Sequence, residues 1–126
     1  MFRCTLVALC VAASITPAAA QVQRTFPQNA LRGSIGFTDP PDITLNRQTA
    51  RLAPGVRIRG QDNMLQMSGT LAGQRAVVNY TVEAGGLINN IWILRPDEIA
   101  MKPWPATMEQ AQAWTFDAAA QTWTKP

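Results

Sequence analysis

Between Arg32 and Leu94 the chain never keeps one direction for long, and this limits its fold more than any other feature. Arg32 to Thr38 alternates, with Ile35 and Phe37 on one face, until Asp39-Pro40-Pro41-Asp42 breaks the run. Ile43 and Leu45 alternate with Thr44 and Asn46, and Ala50 and Leu52 continue weakly to a turn expected at Ala53-Pro54-Gly55. Val56 and Ile58 then oppose Arg57 and Arg59, and Gly60 to Asn63 turns the chain. Met64 to Leu71 reads as a strand with Leu65 and Met67 on one side, joined by a hairpin at Ala72-Gly73-Gln74 to Arg75–Val82. After Glu83-Ala84-Gly85-Gly86, Leu87 to Leu94 is the last strong strand, apolar on both faces. About six short strands with frequent turns predict a mainly β chain, a small antiparallel barrel or sandwich, with OB-like and SH3-like barrels among the candidates. Closure would also remove the exposed edges of so short a sheet.

The flanks differ. Residues 21–31 carry Pro27 and no clear period, and read as an extended lead-in to a barrel-like domain over residues 32–100. Residues 101–126 read as a tail packing on that domain. Pro96-Asp97-Glu98 could start a helical turn, and Pro103-Trp104-Pro105 is stiff. Thr107 with Gln110 forms a capping box for a helix of about two turns ending near Ala113. Trp114-Thr115-Phe116 and Thr122-Trp123-Thr124 predict a terminal hairpin, preferred over a longer helix through Ala118–Ala120 because Thr and Trp dominate both flanks.

The first twenty residues have the grammar of a secretory leader: Arg3, an apolar run from Cys4 to Ile15, and Ala18-Ala19-Ala20 before Gln21. Cleavage near Ala20/Gln21 predicts a periplasmic or secreted protein. The run is too short to span a bilayer, and no later run is long enough. Val7-Ala8-Leu9-Cys10 is a poor lipoprotein box, because Leu9 stands where a small residue is expected. Both cysteines, Cys4 and Cys10, lie in the leader, so a matured domain has no disulfide and holds together by its core or by self-association. Of the 11 Lys and Arg, only Lys102 and Lys125 are lysine, and 8 Asp and Glu nearly balance the charge.

The stretch from Arg32 to Glu98, with Pro54-Gly55-x-Arg57-Ile58-Arg59-Gly60 and Val78-Asn79-Tyr80-Thr81 before Trp92-Ile93-Leu94, resembles a group of small exported proteobacterial proteins of unknown function. The resemblance implies one domain and a periplasmic address. It implies no activity, ligand or catalytic residue.

Most catalytic chemistry is absent from the composition. The chain has no histidine, so neither a Ser-His-Asp nor a Cys-His arrangement can form, nor a histidine-based zinc or copper site. Ser34 and Ser68 lie in no nucleophile elbow. Asp39 with Asp42 reads as a turn, and Asp97 with Glu98 as a helix start, in preference to glycosidase acid pairs. Met64-x-x-Met67 places its sulfurs on opposite faces of a strand and reads as core rather than a copper site. Asn79-Tyr80-Thr81 fits a glycosylation pattern by accident, inside a strand. No catalytic residue, metal or cofactor is predicted.

Binding remains. Arg57 and Arg59 share a face, with Arg47, Arg51 and Arg75 on neighbouring strands or turns. The plain reading is a solvated face balanced by Asp62 and Glu83; the functional one is contact with an anionic polymer. The tryptophans Trp92, Trp104, Trp114 and Trp123 are expected to be mainly buried under the tail, with Trp104 the most exposed. The tentative binding set is therefore Arg57, Arg59, Arg75 and Trp104. The expected function is a non-catalytic accessory module of the cell envelope that contacts a protein or an anionic polysaccharide, with nucleic acid disfavoured. A small carbohydrate-active enzyme using Asp97 and Glu98, or a secreted inhibitor presenting Asp39–Asp42, are the alternatives.

Overall fold

A computed structural model describes residues 23–126; the expected leader at residues 1–20 and its cut lie outside the described residues. Strands β1 (Leu31–Phe37), β2 (Asp42–Leu45), β3 (Gln48–Arg59), β4 (Leu65–Gln66), β5 (Arg75–Val82) and β6 (Ile88–Ile93) form one sheet in the order β2-β1-β5-β6-β3-β4. A further β2–β3 pairing closes five of these strands into a barrel and leaves β4 as an appendage on β3. Every pairing is antiparallel except β3 with β6. The closed five-strand barrel agrees with the mainly β expectation, but the sheet is not wholly antiparallel as expected: closure pairs β3 with β6, two strands that no hairpin joins, and they run parallel.

One long β3 replaces the weak run at Ala50 and Leu52 and the clean alternation of Val56–Arg59, which the sequence separates by a turn. It pairs with β2 from Gln48 to Arg51 and then with β6 from Leu52 to Arg59, with a register shift between Leu52 and Arg57. Gly55 sits at φ +78°, a conformation glycine adopts without steric cost. The expected turn at Ala53-Pro54-Gly55 is thus a bulge that bends one strand from partner to partner, as barrel closure requires. The strand expected from Met64 to Leu71 is also shorter. Only Leu65 and Gln66 pair; Ser68–Leu71 forms a 3₁₀ turn that carries Leu71 into the core. Because β4 does not pair with β5, Ala72–Gln74 is a connection and not a hairpin. Met64 and Met67 are 66% and 75% exposed, so the core role expected of them is wrong: the segment leaves the sheet before it can bury them.

Alternation sorts the barrel strands. Leu31, Ile35 and Phe37 from β1, Ile43 from β2, Leu52 and Ile58 from β3, Val78 and Tyr80 from β5, and Ile88 and Ile91 from β6 are all buried. Asn79, in the accidental glycosylation pattern, is wholly buried in β5.

The lead-in and tail make a second, aromatic layer. Helix α1 (Pro96–Ile99) is followed by α2 (Met108–Ala113) and by a hairpin of β7 (Thr115–Asp117) and β8 (Thr122–Thr124). Thr107 caps α2 by accepting from the Gln110 backbone N–H at 3.2 Å. Phe116 pairs with Trp123 across the hairpin, as the Thr/Trp pattern predicts. Phe26 meets Trp92 and Trp104 edge-on at 5.7 Å each, and Trp104 meets Phe116 and Trp123 at about 6 Å. The Trp104 indole N–H donates to the Ala30 carbonyl at 3.0 Å. Trp104 is only 7% exposed, so the expectation that it would be the most exposed tryptophan is corrected. Its two flanking prolines direct the chain across Ala30 and not into solvent.

Arg24 locks the lead-in to the tail. Its guanidinium donates to both carboxylate oxygens of Glu98, to the Gly60 carbonyl at 2.8 Å and to the Ile93 carbonyl at 2.7 Å. No helix among the described residues is long and apolar enough to cross a membrane.

Candidate functional site

The residues singled out from sequence do not form one site. Arg57 and Arg59 lie on β3 and Arg75 on β5, with β6 between the two strands. Arg57 is exposed; Arg59 is half-buried and lines a shallow recess with Arg24, Asn63 and half-buried Trp92. Among the described residues, no ion pair joins Arg57 or Arg59 to Asp62 or Glu83. Asp62 instead accepts from the Met64 backbone N–H within its own turn.

The acidic candidates are occupied. Glu98 is 3% exposed; besides Arg24, its carboxylate accepts from the Arg95 backbone N–H at 2.9 Å and lies 3.7 Å from the Arg95 guanidinium. Asp97 is exposed and pairs with Arg95 at 3.3 Å. Buried and engaged by Arg24, Arg95 and a backbone N–H, the Glu98 carboxylate is committed to holding the fold. Asp42 pairs with Arg51 at 3.4 Å on the surface, beside the cis Pro40–Pro41 peptide. No group of three or more Cys, Asp or Glu side chains is arranged to hold a metal among the described residues.

An open cleft of about 890 Å³ lies where the tail meets the outer face of β1 and β5. Three cations line it: Arg32 from β1, Lys102 before the cis Pro103, and Lys125 after β8. Trp104 and Trp114 supply its aromatic wall, Val77 and Ile99 its apolar floor, and no acidic side chain lines it. Two of the cations lie against aromatic rings: Arg32 is 5.0 Å from the Trp104 ring and Lys125 is 5.3 Å from the Trp114 ring. Such contacts hold a cation near an apolar wall without neutralising it.

Arg32 is fixed from below. It donates to Asn79 Oδ1 at 3.2 Å and to the carbonyls of Glu98, Ile99 and Met101 at 3.1, 3.3 and 2.8 Å. Those carbonyls lie at and just beyond the end of α1, where Ile99 and Met101 have no following helical turn to accept from and the Glu98 oxygen is shared with the Met101 backbone N–H. Burial pulls the Arg32 pKa below its usual value, and the Glu98 charge opposes that pull. Lys102 and Lys125 are exposed.

A second, polar cleft of about 330 Å³ lies further along the same strands, lined by Ser34, Gly36, Thr44, Asn46, Arg47 and Arg75. Of the four tentative binding residues, Arg75 therefore lines one cleft and one edge of Trp104 the other, while Arg57 and Arg59 lie elsewhere. Lys102 and Lys125 are not among the binding residues expected from the sequence. Their only signal was proximity to tryptophan, in Lys102-Pro103-Trp104 and Trp123-Thr124-Lys125.

Comparison with protein-family models, curated proteins and solved structures gave no match to this chain.

Proposed function

We propose that the protein is a non-catalytic binding module of the cell envelope, exported by its leader, and that it holds an anionic polymer in the cleft between the tail and β1–β5. The observation that carries this reading is the lining of that cleft: Arg32, Lys102 and Lys125 beside Trp104 and Trp114, with no acidic side chain. Cations gathered on one surface with no acidic side chain among them raise the local concentration of an anion, and the effect weakens with salt. Lys102 and Lys125 reach the ligand, and Arg32 adds its field from a fixed position. The lack of histidine and the commitment of Glu98 to two arginines favour binding over turnover. The leader and the resemblance to small exported proteobacterial proteins favour the periplasm.

The test is calorimetric titration of the mature protein with heparin oligosaccharides as the probe. Lys102→Ala/Lys125→Ala should weaken binding about tenfold, the scale of two lost charge-assisted contacts. Neutral dextran should not bind. Unchanged affinity in the double variant would remove the cleft from consideration.

A further inference from the structure

We infer that the two clefts are the ends of one track, and that the ligand is a linear polyanionic polysaccharide lying along the outer face of β1 and β5. This rests on the binding reading above and extends it to the path and length of the ligand.

The β1–β5 register supports the track. Arg32 faces Asn79, Ser34 faces Val77, and Gly36 faces Arg75. These three pairs share the outer face, since side chains alternate along a strand. Val77 lines the first cleft and Ser34 the second, so the clefts meet across a single cross-strand pair. From Arg32 to Gly36 the strand advances about 13 Å at the usual rise per residue. That is longer than one sugar ring. Cations stand at both ends and none between, and no acidic side chain lines either cleft.

Two local features keep the far end open and basic. A Cβ at Gly36 would fall 2.5 Å from Thr44 Oγ1 and 3.8 Å from Arg75 Nε. The missing side chain leaves room for Thr44 Oγ1 in the cleft, and Arg75 lies at van der Waals distance from the space left open. Arg47 is the second residue of the two-residue β2–β3 turn, where both Asn46 (φ 51°) and Arg47 (φ 69°) are left-handed. Glycine is the favoured residue in that position of a type I′ turn. The turn thus places a cation beside the cleft at a cost in backbone strain, a pattern that often accompanies function.

The middle of the track argues for a sugar chain over nucleic acid. Single-stranded nucleic acid binds on successive aromatic rings. Here Ser34 and Val77 lie between the two basic ends, offering a hydroxyl and a small apolar surface.

The test uses the mature protein with a heparin disaccharide and octasaccharide. Arg47→Gly/Arg75→Ala should weaken the octasaccharide about tenfold and leave the disaccharide unchanged, because only the longer chain reaches the second cleft. Arg57→Ala/Arg59→Ala removes the same charge away from the track and should leave octasaccharide affinity intact. Arg47→Gly alone should raise the urea midpoint while weakening the octasaccharide, opposite signs that a purely structural role cannot give. The track is overturned if Arg47→Gly/Arg75→Ala leaves octasaccharide binding unchanged while Lys102→Ala/Lys125→Ala weakens it; the first cleft then stands alone. Equal losses in the Arg57/Arg59 and Arg47/Arg75 variants would reduce the effect to net charge and also overturn it. If Lys102→Ala/Lys125→Ala leaves both ligands unaffected, the binding reading itself fails. Tighter binding of an oligodeoxythymidylate of equal charge would overturn the polysaccharide assignment.

Discussion

Replacing Glu98 with Gln tests what holds the lead-in and tail to the barrel. Arg24 and Glu98 are 6% and 3% exposed, and the pair links residues 74 positions apart. Glu98→Gln keeps the shape but removes the charge that compensates a buried guanidinium. Arg24 would retain only the Gly60 and Ile93 carbonyls and one amide oxygen, and the new amide donors would face the donors of Arg24 or Arg95. Breaking a buried pair from one side costs about 3–5 kcal/mol. A domain of this size loses about 4–8 °C of melting temperature per kcal/mol, so a fall of roughly 12 °C or more is expected. Total stability is commonly about 5–15 kcal/mol, so the variant should fold but lie near the margin. Urea unfolding followed by tryptophan fluorescence reads this directly, since Trp92 and Trp104 both contact Phe26 in the lead-in. The double variant Arg24→Leu/Glu98→Leu should recover most of the loss, because it removes both desolvation costs together. A single-variant loss below about 1 kcal/mol, the range of exposed ion pairs, would refute the argument. So would a double variant no more stable than the single.

Three further outcomes follow from local geometry. Gly36→Ala should cost about 1–3 kcal/mol in urea unfolding by overpacking against Thr44 Oγ1, and adding Thr44→Ala should restore most of it. Burial raises the pKa of Tyr80, the only tyrosine in the chain. The unfolded chain therefore releases this proton first, so stability should be unaffected below about pH 10 and fall as pH rises beyond it, a slope that Tyr80→Phe removes. Thr107→Ala should lower stability by about 1 kcal/mol through loss of the α2 cap, with Thr107→Ser close to neutral.

The local grammar was legible in the amino-acid order. Period-two runs identified β1, β5 and β6, a capping box located α2, and Thr/Trp flanks located the β7–β8 hairpin, because each depends on neighbours a few residues apart. The same reasoning failed where the outcome depended on a distant partner. Ala53-Pro54-Gly55 has the composition of a turn, yet it is a bulge because β2 and β6 both claim β3. Met64 and Met67 have the composition of a core strand, yet no strand pairs beyond Gln66 to bury them. Trp104 between prolines has the pattern of an exposed residue, yet Ala30 and Phe26 are waiting for it.

The candidate site belongs to the second kind. Sequence alone determined that this chain lacks imidazole and, apart from Cys4 and Cys10, thiol, and that its middle would alternate between two faces of a sheet. Only the tertiary structure decided that Arg32, Lys102 and Lys125 share one cleft while Arg57 and Arg59 stand apart from it. The physical reason is range: side-chain alternation follows from covalent geometry at each residue, whereas the meeting of three cations across most of the chain follows from barrel closure and from a tail folded over two paired strands.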